Sequence, residues 1–152
     1  MREIIIRPVS AMDRADWQKL WTAYLAFYET ELPPAVYDTT FARLLDDGEF
    51  EPNGLLAFTG GQAVGLVHYI LHRTCWSAQN NCYLQDLFAM PEMRGKGVGR
   101  ALIKAVYERG FGGGAREVYW MTHETNADAQ HLYRKVARRS GFIEYTKLQD
   151  EA

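Results

Sequence analysis

With two cysteines in 152 residues, Cys75 and Cys82, the chain has too few for a disulfide framework, and both read as reduced thiols. It contains no apolar run near the ~20 residues that a membrane-spanning helix needs, so a span is not expected. A basic segment followed by an apolar signal core is also missing from the N-terminus, and the expected setting is the soluble cytoplasm. His68 and His72 fall four apart on one strand, but no Cys, His, Asp or Glu cluster completes a ligand set, and no metal is expected. Two phosphate motifs are absent as well: GxxxxGK[ST], and the GxGxxG spacing of dinucleotide folds. There is no strong net charge either, since 17 basic and 19 acidic residues leave −2. That balance argues against a general nucleic-acid binder, although Arg134, Lys135, Arg138 and Arg139 cluster locally, because no aromatic motif interleaves with them.

What remains is an ordinary globular composition, 47% hydrophobic, of a length that suits one domain over residues 1–152. The small net charge hides an asymmetry. Between Glu29 and Glu51 the acids are Glu29, Glu31, Asp38, Asp46, Asp47, Glu49 and Glu51, against Arg43 alone. From Arg94 to Glu117 the bias reverses, with Arg94, Lys96, Arg100, Lys104, Arg109 and Arg116 against Glu108 and Glu117. A basic lobe suits a phosphate-bearing ligand, and an acidic one attracts a cationic amine.

Periodicity outlines the elements. Ile4, Ile5 and Ile6 predict a strand ending before Pro8. Trp17, Leu20, Trp21, Tyr24 and Tyr28 recur at helical steps from about Asp13, and Val36, Phe41, Leu44 and Leu45 mark a second helix beyond the Leu32-Pro33-Pro34 break. Residues 55–59 and 63–70 flank Gly60-Gly61 as a hairpin. A polar loop over 74–81 precedes alternating elements: strand 82–90, helix 97–111, strand 116–122, helix 127–139 and a closing strand 142–148. Strands that run antiparallel early and alternate with helices late predict an α+β fold, a central mixed and mostly antiparallel twisted sheet with helices on both faces.

The most telling stretch is Arg94-Gly95-Lys96-Gly97-Val98-Gly99-Arg100, between a buried strand and an amphipathic helix. Alternate glycines let backbone N–H groups turn inward, and the helix N-terminus with three nearby cations favours a pyrophosphate. At Arg94, Gly97 and Gly99 the chain resembles the GCN5-related N-acetyltransferase (GNAT) superfamily, with its Q/R-x-x-G-x-G/A signature. Asn126-Ala127-Asp128-Ala129-Gln130-His131-Leu132-Tyr133, followed by Gly141-Phe142, resembles the second block of that family in the right order. The seven residues between Tyr133 and Gly141 exceed the family's usual spacing, which predicts a helix about one turn longer. This longer version resembles a subgroup of histone and polyamine acetyltransferase-like proteins.

The resemblance implies acetyl-CoA as cosubstrate, its pyrophosphate on the backbone amides from Arg94 to Gly99. It implies pantetheine alongside a splayed strand edge at Leu87, Phe88 and Ala89, with a backbone N–H near Phe88 or Ala89 polarising the thioester carbonyl. Tyr133 is then the acid that protonates the departing thiolate, and Asn126 hydrogen-bonds near the cofactor. The acceptor is a primary amine, whether a polyamine, another small amine, or a protein lysine or N-terminus, and a homodimer is compatible with the resemblance.

The base is less determined. A lysine-like amine has a pKa near 10.4 and must lose a proton before it attacks. Asp86 on the cofactor strand and Glu124 beyond the next strand are the candidates, although Asp86 reads equally as a buried structural carboxylate. Regular alternation would put Gln85 and Asp86 on opposite faces. Gln85 stands where polyamine acetyltransferases carry a glutamate and cannot titrate, which keeps open an alternative, a CoA-binding sensor or regulatory protein without turnover.

Overall fold

The computed structural model of the protein describes residues 3–151, which divide at residue 121 into two units. The first holds a five-stranded sheet and three α-helices. Its strands are β1 (Ile5–Pro8), β2 (Asn53–Thr59), β3 (Gln62–His72), β4 (Asn80–Ala89) and β5 (Ala115–Tyr119), and they lie side by side in chain order. The first three pairings are antiparallel and only β4 with β5 is parallel. The mixed, mostly antiparallel sheet expected from the sequence is therefore present. β1 runs through Pro8, which pairs with Leu55, because an edge strand tolerates the missing N–H.

Helices cover both faces of this sheet. α1 (Arg14–Phe27) and α2 (Pro34–Leu44) close one face with Trp17, Leu20, Trp21, Leu25, Phe41 and Leu44, packed with Leu56, Leu66 and Phe88 of the strands. α3 (Val98–Gly112) lies on the other, where Val98, Leu102, Ile103 and Val106 are buried. Its approach depends on Gly65 of β3, where a Cβ would stand 2.7 Å from Val98 Cγ1. Arg7 and Asp13 tie the start of α1 to β1 at 2.7 and 2.9 Å.

β3 and β4 pair in regular register from His72↔Asn81 to Tyr69↔Leu84, then shift so that His68 faces Asp86. Gln85 is the extra residue, and this β-bulge interrupts the alternation. Below it Leu84 shares the face of Tyr69; above it Asp86 and Phe88 share the face of His68 and Leu66, under α1. The bulge thus turns the carboxylate of Asp86 toward α1.

The second unit carries α4 (Ala127–Val136), capped by Asn126, whose Oδ1 accepts from the Ala129 N–H at 3.3 Å. Two expectations are corrected here. The helix stops at Val136 instead of reaching residue 139, so the longer spacing to Gly141 does not extend it. Like charges at four-residue spacing, Arg134 with Arg138 and Lys135 with Arg139, oppose continuation, and Gly141 adopts φ +88°. Residues 142–148 form no strand, because none of them pairs with another strand, and Phe142, Ile143 and Tyr145 are exposed.

Candidate active site

Three features of the first unit meet around β4. The first is the loop between β4 and α3. Gly95 and Gly97 adopt φ +77° and +87°, a region closed to most side chains, and Gly97 serves as the helix N-cap without any side chain to cap it. The first intrahelical bond runs from the Ala101 N–H to the Gly97 carbonyl at 3.0 Å. The N–H groups of Val98, Gly99 and Arg100 therefore precede the hydrogen-bond ladder, at the positive end of the helix dipole. Val98 is buried beneath them, whereas Arg94, Gly95, Lys96, Gly97 and Arg100 are exposed. Arg94 sits over the Phe27 ring, 5.6 Å from its centroid, which fixes one cation of the loop against α1. An uncapped N-terminus ringed by three cations fits a diphosphate.

The second feature is an open strand edge. β5 pairs with β4 only from Asn80 to Tyr83, where Tyr83 and Tyr119 stack with ring centroids 5.1 Å apart. Beyond them, Leu84–Ala89 has β3 on one side and, among the described residues, no strand on the other. The Met90 N–H donates to Val64 at 2.9 Å, so strand alternation turns Phe88 toward β3 as well, and Leu87 and Ala89 toward the open edge. Of Phe88 and Ala89, Ala89 has the N–H directed at the opening, while the Phe88 side chain belongs to the core under α1.

The third feature is a buried polar cluster under α1. Trp17, wholly buried, donates its indole N–H to Nε2 of His68 at 3.0 Å, and His68 Nδ1 lies 3.0 Å from Oδ2 of Asp86. An indole can only donate, so Nε2 must accept, and the proton of a neutral imidazole sits on Nδ1. That proton is given to Asp86. Burial, together with the negative charge of Asp86 nearby, pushes the Tyr24 phenol far above its usual range. Tyr24 stacks on Trp21 at 5.0 Å, and the Trp21 indole N–H is buried with no hydrogen-bond partner among the described residues. Asp86 keeps 11% of its side-chain surface open. Among the described residues no Lys or Arg forms an ion pair with it.

In the second unit, Glu124 is exposed and its carbonyl accepts from Gln130 at 2.9 Å, while Tyr133 lies on the α4 face of Ala129 and Val136. β5 ends at Tyr119, so Glu124 lies five residues past it rather than just beyond it. A separate cavity of about 770 Å³, lined by Thr22, Glu29, Glu31, Leu32 and Tyr37 among others, shares no lining residue with the buried cluster or the loop. Among the described residues no cluster of His, Cys, Asp or Glu suits a metal ion.

Residues 17–137 match the Acetyltransferase (GNAT) family. The chain belongs to this GNAT family. It is an N-acetyltransferase, using acetyl-CoA to acetylate an amine. The D-amino-acid N-acetyltransferase HPA3 of Saccharomyces cerevisiae is 40% identical over 146 residues, covering 95% of this chain and 90% of its own. The thialysine N-epsilon-acetyltransferase of Mus musculus is 32% identical over 75 residues, 49% of this chain and 44% of that protein. Among solved structures, the aminoglycoside acetyltransferase AAC(6′)-Iy, in complex with the bisubstrate analogue CoA-S-monomethyl-acetylneamine, has a TM-score of 0.84 at 18% identity. The match covers 97% of this chain and 99% of that one. A transcriptional regulator from Bacillus halodurans C-125 has a TM-score of 0.83 at 16% identity, covering 96% and 99%. At such identities these two likenesses establish the GNAT fold alone.

Trp17, Tyr24 and His68 are the residues of the buried cluster that sequence reasoning did not bring together with Asp86. The connection over 73–79 joins β3 to β4 as neighbours, shorter at its far end than the expected 74–81 loop; counting outward from His72↔Asn81 brings His68 opposite Gln85, and the bulge moves it on to Asp86.

Proposed function

We propose that this enzyme acetylates a small cationic primary amine of amino-acid size by direct attack in a complex that holds amine and acetyl-CoA together. The observation that carries the reading is Asp86, a buried carboxylate with a neutral imidazole as donor and no Lys or Arg among the described residues to balance it. Buried carboxylates are ordinarily paired with a cation, and a substrate ammonium supplies one. An amino-acid-sized acceptor is supported by the yeast relative's name, D-amino-acid N-acetyltransferase.

Acetyl-CoA brings an acetyl group already activated as a thioester. In this reading the N–H groups of Gly95, Gly97, Val98, Gly99 and Arg100 hold its diphosphate, assisted by the side chains of Arg94, Lys96 and Arg100, while the Arg94 and Lys96 N–H groups stay in the turn, donating to Pro91 and Met93. Leu87 and Ala89 offer N–H groups along the open edge to the pantetheine amides and to the thioester carbonyl. Asp86 takes a proton from the ammonium, freeing the lone pair that forms the C–N bond as the C–S bond breaks. Tyr133 gives its phenolic proton to the leaving sulfur, the positively charged nitrogen of the new C–N bond returns its second proton through solvent to the Tyr133 phenolate, and Asp86 releases the first proton to solvent. Asn126 shapes the start of α4, which carries Tyr133. We take Asp86 over Glu124 as the base because Asp86 is buried and held by His68, whereas Glu124 is an exposed side chain. A cytoplasmic setting and a homodimer belong to the same reading; two lone cysteines suit a reducing compartment, and exposed Phe142, Ile143 and Tyr145 suit a contact.

The test is thiol release from acetyl-CoA with a panel of D- and L-amino acids, lysine analogues, polyamines and a short peptide, the products weighed by mass spectrometry. Acetylation of an amino-acid-sized amine, with no thiol released when amine is omitted, is the expected result. Binding of acetyl-CoA with no acetylated product across the panel would replace this reading with that of a CoA-binding sensor.

A further inference from the structure

We propose that His68 is a positioning residue for catalysis, held by Trp17 in one tautomer so that its Nδ1–H permanently orients the Asp86 carboxylate toward the incoming amine. The inference rests on Asp86 being the base, and the geometry that carries it is independent of that reading. Trp17 Nε1 and Asp86 Oδ2 lie at 3.0 Å from opposite nitrogens of one imidazole, and the residues they hold are wholly, or more than nine-tenths, buried. Because Trp17 can donate but not accept, the ring is fixed in direction as well as in place. Trp21 packs edge-on to the same imidazole at 4.8 Å, and Trp17 itself is wedged against Phe41 at 5.2 Å and Tyr37 at 6.0 Å, which leaves the ring little room to turn.

The consequence is a carboxylate whose orientation is set before any substrate arrives. With Nδ1–H on Oδ2, Asp86 is held in one orientation, and its remaining lone pairs stay available to the open fraction of its surface. His68 needs no change of protonation during turnover, because its Nε2 lone pair is already engaged by Trp17. It therefore acts on the amine only through Asp86. The β-bulge at Gln85 is the backbone device that makes the contact, since regular pairing would have set His68 against Gln85.

The experiment compares His68→Asn, His68→Gln and Asp86→Asn with wild type, using thiol release at saturating acetyl-CoA and an amine that wild type acetylates. An asparagine amide can reproduce the Nδ1 donor, whereas glutamine reaches the Nε2 position and leaves Asp86 without its donor. His68→Gln is expected to lower kcat about 10- to 100-fold with the KM for acetyl-CoA unchanged, and His68→Asn to restore much of it. Equal losses in both variants, or an unchanged kcat in His68→Gln, would overturn the proposal while leaving Asp86 in its role if Asp86→Asn is inactive. A fully active Asp86→Asn would remove both. Should the His68 variants fail to fold, the ¹⁵N spectrum of the wild-type imidazoles decides: protonated Nδ1 with bare Nε2 supports the tautomer lock, and the opposite tautomer or an imidazolium at neutral pH overturns it.

Discussion

In the proposed reading, the loop that opens α3 and the cluster beneath α1 bind by opposite means. The loop is built from main chain: exposed, glycine-shaped and uncapped, with its recognition groups supplied by backbone N–H. The cluster is built from side chains: Trp17, His68 and Asp86 come from three elements and hold one another at hydrogen-bond distance, with Tyr24 packed beside them among aromatic rings. A main-chain cradle tolerates change in the residues around it so long as the dihedral angles survive. A side-chain relay fails when any member is altered, because a buried donor or acceptor is then left unpaired.

The largest expected effect lies on the buried side. Asp86→Asn should reduce turnover of the amine by about 10²- to 10⁴-fold, the range of a lost general base, as measured by initial-rate thiol release. Trp17→Phe comes next and reads out as stability. It removes the donor to His68 and part of a wholly buried ring, and should cost about 2–4 kcal/mol in urea unfolding.

The tie at the start of α1 sharpens the comparison through pH. The hydrogen bonds from Arg7 hold the Asp13 carboxyl down at about 2, outweighing its burial, with Ser10 assisting. A carboxyl depressed in the folded state stabilises fully above its unfolded value near 3.8 and loses that contribution as pH falls toward 2. Asp13→Asn should therefore lose about 1–2 kcal/mol at neutral pH, discounted because Arg7 is 44% exposed, with the gap from wild type closing between pH 4 and pH 2. The smallest effect is at the other end of α1. Glu29 adopts φ +54°, and Glu29→Gly should raise stability by about 0.5–1 kcal/mol in a thermal melt.

The two regions also differ in how far the sequence discloses them. Gly95, Gly97 and Gly99 lie within five residues, and alternate glycines ahead of a helical stripe mark a main-chain turn into a helix N-terminus, so the cradle could be read directly. The mixed sheet followed from the alternation of strands and helices, whereas the splayed edge was implied by the family resemblance alone, and the strand order was not read from the sequence. The cluster could not be read this way. Trp17 and His68 are 51 positions apart, each looks like ordinary core, and the bulge that brings Asp86 beneath His68 leaves no mark in the pattern of apolar residues. The end of α4 was misjudged for a related reason: the apolar face of Ala129, Leu132, Val136 and Ala137 extends the helix on paper, while like charges on its other face and Gly141 act against it.

Calorimetric titration of acetyl-CoA into wild type, Gly97→Val and Asp86→Asn separates the two regions most directly. The account predicts that Asp86→Asn binds like wild type, whereas Gly97→Val, whose β-branched side chain cannot adopt φ +87° without strain, binds at least about tenfold more weakly. Equal binding by Gly97→Val and wild type, or loss of binding on Asp86→Asn, would contradict it.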